Sequence, residues 1–434
     1  MKSLFLERWL GVLREKSALP AIYAPDGEKL RTFADIETES ASFAERLRVH
    51  PPGSVIAIRA GNKPSWPARL LACIRLRLIP LPLGESAGAD WLEPRVIPPI
   101  PGERRPEFLK LTSGTTAAPR AIRFHLDQLV ADCDNICETM GIASGDLNFG
   151  VIPFSHSYGF SNLMTPLLCR GVPLVASEDR LPRAILSGLE QTGATVLPGM
   201  PVFYRAFAGM ENVPALPSLR LCISAGAPLT KSAGLGFSGK FHRKIHSFYG
   251  ASECGGIAYD RSEDLDYDGN LQPMRNVQIT PLESSMIEVR SAAVGDGYFP
   301  ETDPSVLGQG RFIPGDLVAV HERGMSLEGR VSDIINVAGR KLNPLEVEAR
   351  LAEFPGVREA VVFGTPSPLR NEEPVACVVA ENGCAAGDLL RFCHERLSAW
   401  QTPKDIWLVE RIPSNERGKV SRRELARLYA ERRR

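Results

Sequence analysis

Short apolar or β-branched runs alternate with longer amphipathic ones along most of the chain, the pattern of an α/β fold. Val55 to Arg59 reads as a strand and Trp66 to Arg77 as the helix after it. Further strands are expected at Phe149 to Pro153, Val172 to Ala176, Thr195 to Pro198 and Leu219 to Ser224, each followed by a turn or helix signal. Between Leu83 and Pro106 this rhythm fails, with five prolines after Leu92 and little periodicity. His321 to Gly324 reads as a hairpin turn, and a boundary is expected near Leu327 to Asp333. The block beyond it, ~100 residues, is long enough for a small domain. It has a helix opening at Pro344 to Glu348, capped by Asn343 with proline in the first turn, and strands at Val361 to Phe363 and Val375 to Ala380.

At 434 residues the chain exceeds one compact core and implies at least two domains. Lys plus Arg and Asp plus Glu both total 51, so no global charge recruits nucleic acid or an anionic membrane. The first residues, Met1 to Ala24, begin with Lys2 and a short apolar run, but Glu7 and Arg8 break it and argue against a signal peptide. No window approaches the ~18 unbroken apolar residues of a membrane span. The nine cysteines are scattered without a C-x-x-C pair, as small core residues of a reducing cytoplasm are. Cys133 and Cys137 are four apart and share a face if that stretch is helical.

The run Leu111 to Arg120, L-T-S-G-T-T-A-A-P-R, is the most informative local feature. Thr112, Ser113, Gly114, Thr115 and Thr116 make a poor core strand and a poor helix, but a backbone and hydroxyls that can turn onto one phosphate. Pro119 stops the loop, Arg120 adds a fixed positive charge, and Ala121-Ile122 restarts regular structure. Gly234 to Gly239 fits the G-x-G-x-x-G dinucleotide fingerprint, yet no strand precedes it and no βαβ unit surrounds it, so these read as helix or loop glycines.

The Leu111 loop resembles the phosphate-binding loop of the adenylate-forming superfamily, the acyl-CoA synthetases, luciferases and adenylation domains, where it usually reads T-S-G-T-T-G-x-P-K. In the same order as in that family come P-F-S-H-S-Y-G from Pro153, Y-G-A-S-E from Tyr249, P-G-D-L from Pro314, Gly329-Arg330 onward to Glu348, and Pro413 to Arg423 ending in G-K-V-S-R-R. The resemblance thus spans nearly the whole chain. It implies a large N-terminal AMP-binding α/β domain, residues 1–331, with a first subdomain trimmed at the proline-rich stretch. A small mobile α+β domain, residues 332–434, follows from a hinge near Ser332, where the family often has Asp or Lys.

The resemblance also implies an activity. ATP-dependent attack of a carboxylate on the α-phosphate gives an acyl-adenylate, and a thiol then takes the acyl group. Glu253 is implied as the ligand for Mg²⁺ and Lys419 as the bridge between carboxylate and α-phosphate, with His156 shaping or gating the carboxylate end. Tyr249 and Gly250, with Ala225-Gly226-Ala227, would hold adenine. Ser252, standing for the usual Thr, would bind the α-phosphate, Asp316 the ribose hydroxyls, and Arg330 the ribose or phosphate. Val337, Ala338, Gly339 and Arg340 would line a coenzyme A tunnel. The departures are Ala117 for the loop glycine, Arg120 for its lysine, and Pro314 where Thr is frequent.

Amino-acid-activating relatives place an aspartate near His156 for the substrate ammonium. No acid occurs here from Ile152 to Leu163, so a fatty or aromatic acid is favoured over an amino acid. The family match runs to within a few residues of Arg434, with no carrier domain attached, so coenzyme A is the first acceptor and a separate acyl carrier protein the second. A non-catalytic binding relative is the remaining alternative. Retention of Glu253, Asp316, Arg330 and Lys419 together argues for the enzyme, and the expected compartment is the cytoplasm.

Overall fold

The computed structural model describes residues 3–84, 95–97, 104–112, 120–300, 303–381, 383–413 and 420–432. The chain folds into two compact units. The first comprises Met1–Pro281, Glu288–Pro314 and His321–Ser326, and the second Leu282–Ile287, Gly315–Val320 and Leu327–Arg434.

The first unit is built on a nine-stranded sheet. Its order from one edge is Gln272–Pro273, Gly255–Tyr259, Ile245–Ala251, Leu221–Ser224, Val196–Gly199, Asn148–Gly150, Leu174–Ala176, Pro20–Tyr23 and Lys29–Thr32. The six strands from Ile245–Ala251 to Pro20–Tyr23 run parallel, and only the edge pairs are antiparallel. Helices Pro182–Thr192, Pro201–Gly209 and Lys231–Phe241 make the crossovers, so these strands are buried and read as continuous apolar runs. The G-x-G-x-x-G glycines sit inside the last of these helices. In such a sheet, ligands gather at the carboxyl ends of the strands. Here those ends are Gly150, Gly199, Ser224 and Ala251, each running into a segment singled out above or into a helix start.

The predicted strands form. Those expected at Val55 to Arg59, Phe149 to Pro153, Val172 to Ala176 and Leu219 to Ser224 are shorter than the apolar runs suggested, and Thr195 to Pro198 is shifted by one to Val196–Gly199. The two expected beyond the boundary extend to Val357–Ser367 and Asn371–Ala380. Val172 to Ala176 yields Leu174–Ala176 because Pro173 cannot donate to the ladder, although its carbonyl accepts from Asn148 at 3.0 Å. The helix from Trp66 ends at Arg75, and Arg77 takes a left-handed φ of 54°. The proline-rich stretch is described only in part. Val96 bridges Ser54, and Ile97 packs with Val55, Ile79, Leu81 and Leu109, so this piece flanks the two-stranded sheet of Val55–Ile58 and Ile79–Pro82.

A separate antiparallel sheet joins Phe108–Leu111, Ala121–Phe124 and Gly297–Phe299. Beside it runs the helix Leu126–Met140, whose start is held by the His125 N–H donating to Gln128 Oε1 at 2.7 Å and whose end is closed by Gly141 at φ 65°. Cys133 and Cys137 lie on this helix, and all nine cysteines are free thiols. Among the described residues no helix is long and apolar enough to cross a membrane.

The second unit is a sheet of Arg340–Leu342, Ile335–Val337, Asn371–Ala380 and Val357–Ser367, with Asp405–Leu408 added parallel to Asn371–Ala380. Strand alternation feeds two cores. Val362, Ala376 and Val378 face helices Pro344–Ala352 and Ala386–Arg396, while Phe363, Val375 and Cys377 face the helix Arg422–Arg432. Asn343 caps the first of these helices by accepting the Leu345 N–H at 3.1 Å, with Pro344 at its start.

Candidate active site

The phosphate-loop hairpin is closed at its base. Thr112 N–H donates to the Arg120 carbonyl at 2.9 Å, and its hydroxyl reaches the same oxygen at 3.2 Å. Ser113, Gly114, Thr115 and Thr116, between these ends, lie outside the described residues, as does Ala117. The Arg120 guanidinium stands 4.1 Å from the centroid of the Tyr298 ring. Tyr298 belongs to Gly297–Phe299, which pairs with the second strand of the hairpin, and its hydroxyl donates to Glu253 Oε1 at 3.1 Å. Burial pushes the Tyr298 phenol up, and the Glu253 charge adds to this, so Tyr298 stays a neutral donor.

Glu253 follows the strand Ile245–Ala251, in the turn before Gly255–Tyr259. Its carbonyl accepts from Gly295 at 2.9 Å, tying the turn to the segment that leads to Tyr298. Next to it, Ser252 takes a 2.8 Å hydrogen bond from Ser157. Ser157 opens a helix that passes through a π turn, Phe160–Met164, before continuing as Thr165–Arg170. Such π turns recur at functional sites. His156 caps this helix, with Nδ1 accepting the Tyr158 N–H at 3.2 Å, so a neutral ring carries its proton on Nε2. Tyr158 is buried with its hydroxyl on the Ile223 carbonyl, at the end of the strand leading to Ala225.

Tyr249 is buried near the end of its strand, and Ala225 N–H donates to Gly199 at 3.3 Å. Gly226 follows with a left-handed φ of 89°, and Ala227 is exposed. At Gly250 a Cβ would come within 2.7 Å of the Gly255 carbonyl, so no side chain fits. The first unit therefore gathers Arg120, His156, Ala225, Tyr249, Ser252 and Glu253 on chain segments that leave its sheets, many at the carboxyl ends of the parallel strands.

Asp316 and Arg330 are brought together in the second unit, on the hairpin of Asp316–His321 and Gly324–Arg330. Arg330 Nε donates to Asp316 Oδ1 at 2.9 Å. Ser332 is exposed in the short turn Val331–Asp333, and Asp333 is held by Arg422 at 3.2 Å. The guanidinium of Arg422 also binds Glu348 and the Val362 carbonyl. Ala338 and Gly339, with φ of 51° and 88°, form the tight turn between Val337 and Arg340. The Val337 side chain lies in the core, and the Arg340 guanidinium is 5.4 Å from the Trp400 ring centroid. Lys419 lies outside the described residues.

Several residues in this arrangement carry no motif. Tyr298 has no local signal, because only the pairing of distant strands brings it to Glu253. Lys110 and Asp132 did leave a signal: a lysine inside the apolar run F-L-K-L, and an aspartate on the apolar face of a helix, three after Leu129 and four before Ile136. Both are buried.

The chain matches the family description AMP-binding enzyme over residues 89–295 and AMP-binding enzyme C-terminal domain over residues 346–419. It belongs to the AMP-binding, adenylate-forming enzymes. It is 28% identical over 373 residues to a feruloyl-CoA synthase of Amycolatopsis, covering 81% of this chain and 75% of that one. A long-chain-fatty-acid–CoA ligase of Bacillus subtilis is 27% identical over 354 residues, 76% of this chain and 63% of the relative. The ATP-bound MatB structure from Rhodopseudomonas palustris superposes with a TM-score of 0.85 at 22% identity, covering 100% of this chain and 99% of that one. The large α/β domain and small C-terminal domain of AMP-binding enzymes are therefore the architecture of this chain.

Proposed function

We propose that this chain is an AMP-forming acid–thiol ligase. A carboxylate attacks the α-phosphorus of ATP, the bond to pyrophosphate breaks, and a mixed anhydride with AMP forms. A thiol then attacks the acyl carbon and AMP leaves as the product. The observation that carries this reading is the meeting of sequence-distant segments around Glu253: Ser157 on Ser252 at 2.8 Å, Tyr298 on Glu253 at 3.1 Å, and Arg120 on the Tyr298 ring at 4.1 Å.

The first half-reaction brings an anion to a polyanion, so positive charge and fixed donors must offset the repulsion. Arg120 supplies one such charge at the base of the phosphate loop, and Thr112 to Thr116 would surround the phosphates. The Glu253 carboxylate, oriented by Tyr298 beside the Ser252 hydroxyl, is a hard oxygen donor set. It suits an ion that binds through one or two carboxylates together with substrate phosphates. Mg²⁺ bound there would neutralise phosphate charge. Lys419 bridges carboxylate and α-phosphate, Asp316 and Arg330 take the ribose side, and Tyr249 with Ala225 to Ala227 takes the adenine. Ser332 is the pivot between half-reactions, dividing residues 1–331 from 332–434, and Val337 to Arg340 face the incoming thiol.

The acid is fatty or aromatic, because the Ile152 to Leu163 segment offers no carboxylate to an ammonium. Coenzyme A is the acceptor, and the cytoplasm, where nine free thiols stay reduced, is the compartment. The test is an ATP–pyrophosphate exchange screen across fatty, aryl and amino acids, followed by transfer to coenzyme A or to an acyl carrier protein. Exchange should appear with apolar acids and release AMP on adding coenzyme A. A flat response to every acid in folded protein would remove the enzyme reading.

A further inference from the structure

Behind the Glu253 turn lies a buried pair of opposite charges that the reaction as described does not use. Asp132, on the helix Leu126–Met140, is 3% exposed, and Lys110, on the strand entering the phosphate loop, is 5% exposed. Each is the other's chief electrostatic partner, and the Lys110 ammonium also lies 4.7 Å and 5.4 Å from the Phe124 and Phe160 ring centroids. Burial pushes the Lys110 ammonium down and the Asp132 carboxyl up, and the charge of each opposes that shift in the other.

The carboxylate of Asp132 touches two of the segments that form the site. Its Oδ1 accepts the Gly256 N–H at 2.9 Å, just beyond Glu253. Its Oδ2 accepts the Ser161 hydroxyl at 2.5 Å, in the π turn that follows His156. The approach is so close that a Cβ on Gly255, which has φ 70°, would lie 1.9 Å from Oδ1. Lys110 brings in the third segment, since Thr112 follows it by two residues and its charge is also felt by Glu253.

We propose that Asp132 is a positioning residue for acyl-adenylate formation. It fixes the Ser252–Gly256 turn, and hence the Glu253 carboxylate, against the His156 helix. Lys110 supplies the charge that lets a carboxylate stay in that place. The consequence is specific to the first half-reaction, because only there must Glu253 meet the triphosphate and its metal. The inference rests on reading the chain as an adenylate-forming ligase.

Two neutral, volume-matched double variants isolate the hydrogen bond from the charge. Lys110→Met with Asp132→Asn keeps an acceptor for Gly256 N–H, while Lys110→Met with Asp132→Leu does not. The Asn variant should keep acid-dependent pyrophosphate exchange within a few-fold of the parent. The Leu variant should lose about 100-fold, the scale of a slightly misplaced catalytic group. It should also need about tenfold more Mg²⁺ for half-maximal exchange, as supporting residues of a metal ligand do. Thioester formation from supplied acyl-adenylate should stay within about twofold in both, since that step does not use the positioned carboxylate. Hydrogen exchange of the peptide spanning residues 251–257 should be faster in the Leu variant alone, a readout independent of turnover. Equal Mg²⁺ dependence in the two folded variants, or equal loss of both half-reactions, would overturn the assignment. If the parent showed no exchange with any acid, the ligase reading would fall, and the hydrogen-exchange contrast would still decide whether Asp132 holds the turn.

Discussion

Tyr298 shows how a single hydroxyl can join two pieces of a site. Its ring receives the Arg120 guanidinium at 4.1 Å while its O–H donates to Glu253 at 3.1 Å. Tyr298→Phe keeps the ring platform and deletes only the donor. Acyl-adenylate formation should fall roughly tenfold, the worth of one hydrogen bond to a charged acceptor. Tyr298→Leu should fall further because the guanidinium loses its aromatic face. Pre-steady-state formation of AMP-linked acid checks both, and no difference between Phe and parent would separate the hydroxyl from the chemistry. Lys419→Ala should be more severe, about 100-fold or more, because in its proposed role the ammonium faces the α-phosphate where anion meets anion. Thioester formation from supplied adenylate should change much less, and equal loss in both steps would refute the role. Lys419 could be singled out from the chain because its glycine-flanked basic motif is local. Tyr298 could not, because its partners are 45 residues away for Glu253 and across a strand pair for Arg120.

Among the elements, the strand Gly297–Phe299 is the one whose placement sets the Tyr298 hydroxyl, and a charged histidine secures it. His125, the N-cap of the helix Leu126–Met140, places Nε2 2.8 Å from Asp296 and Nδ1 3.5 Å from Glu107. Gln128 adds a 2.8 Å bond to the same aspartate and a 2.7 Å bond to the Val294 carbonyl. The Asp296 carboxylate bonded to Nε2, then the Glu107 carboxylate facing Nδ1, raises the imidazole from 6.5 to about 9. A raised folded-state value means that its stabilisation is full below pH 6.5 and is lost as the pH climbs through about 9. The melting temperature should therefore drop across that window, and His125→Gln should flatten the drop while lowering stability at pH 6. A parent melting temperature that is level from 6.5 to 9 would show the imidazole is not held charged. Periodicity made these elements visible: the parallel strands are uninterrupted apolar runs, and the second unit's strands alternate between two cores. What periodicity hid was the short antiparallel sheet containing Tyr298. A three-residue strand gives too few positions for any period to emerge.

At the scale of the whole molecule, the proposed two-step reaction asks one segment to serve two arrangements. Val331 N–H is tied to the Gly315 carbonyl at 2.9 Å, and Asp333 is tied to Arg422 at 3.2 Å. Ser332 lies between these ties, exposed, with a 3.3 Å side-chain bond to its own neighbour Asp333. A pivot there separates Asp316 and Arg330 from the sheet that begins at Ile335, although all of these residues belong to the second unit. The turn Val331–Asp333 has the tight helical form whose φ is close to that of proline, so Ser332→Pro should fold normally. It should also fix φ near about −65° and prevent the residue from taking a second conformation. If the fixed state is the adenylating one, pyrophosphate exchange should persist while transfer to coenzyme A falls by about two orders of magnitude, as expected when a group cannot reach its reactive geometry. Ser332→Ala, which leaves φ free, should behave as the parent and separates backbone restriction from loss of the hydroxyl. Both half-reactions must be measured on one preparation. Unchanged transfer in the proline variant would move the pivot to Asp333, where breaking the Arg422 contact becomes part of the rotation.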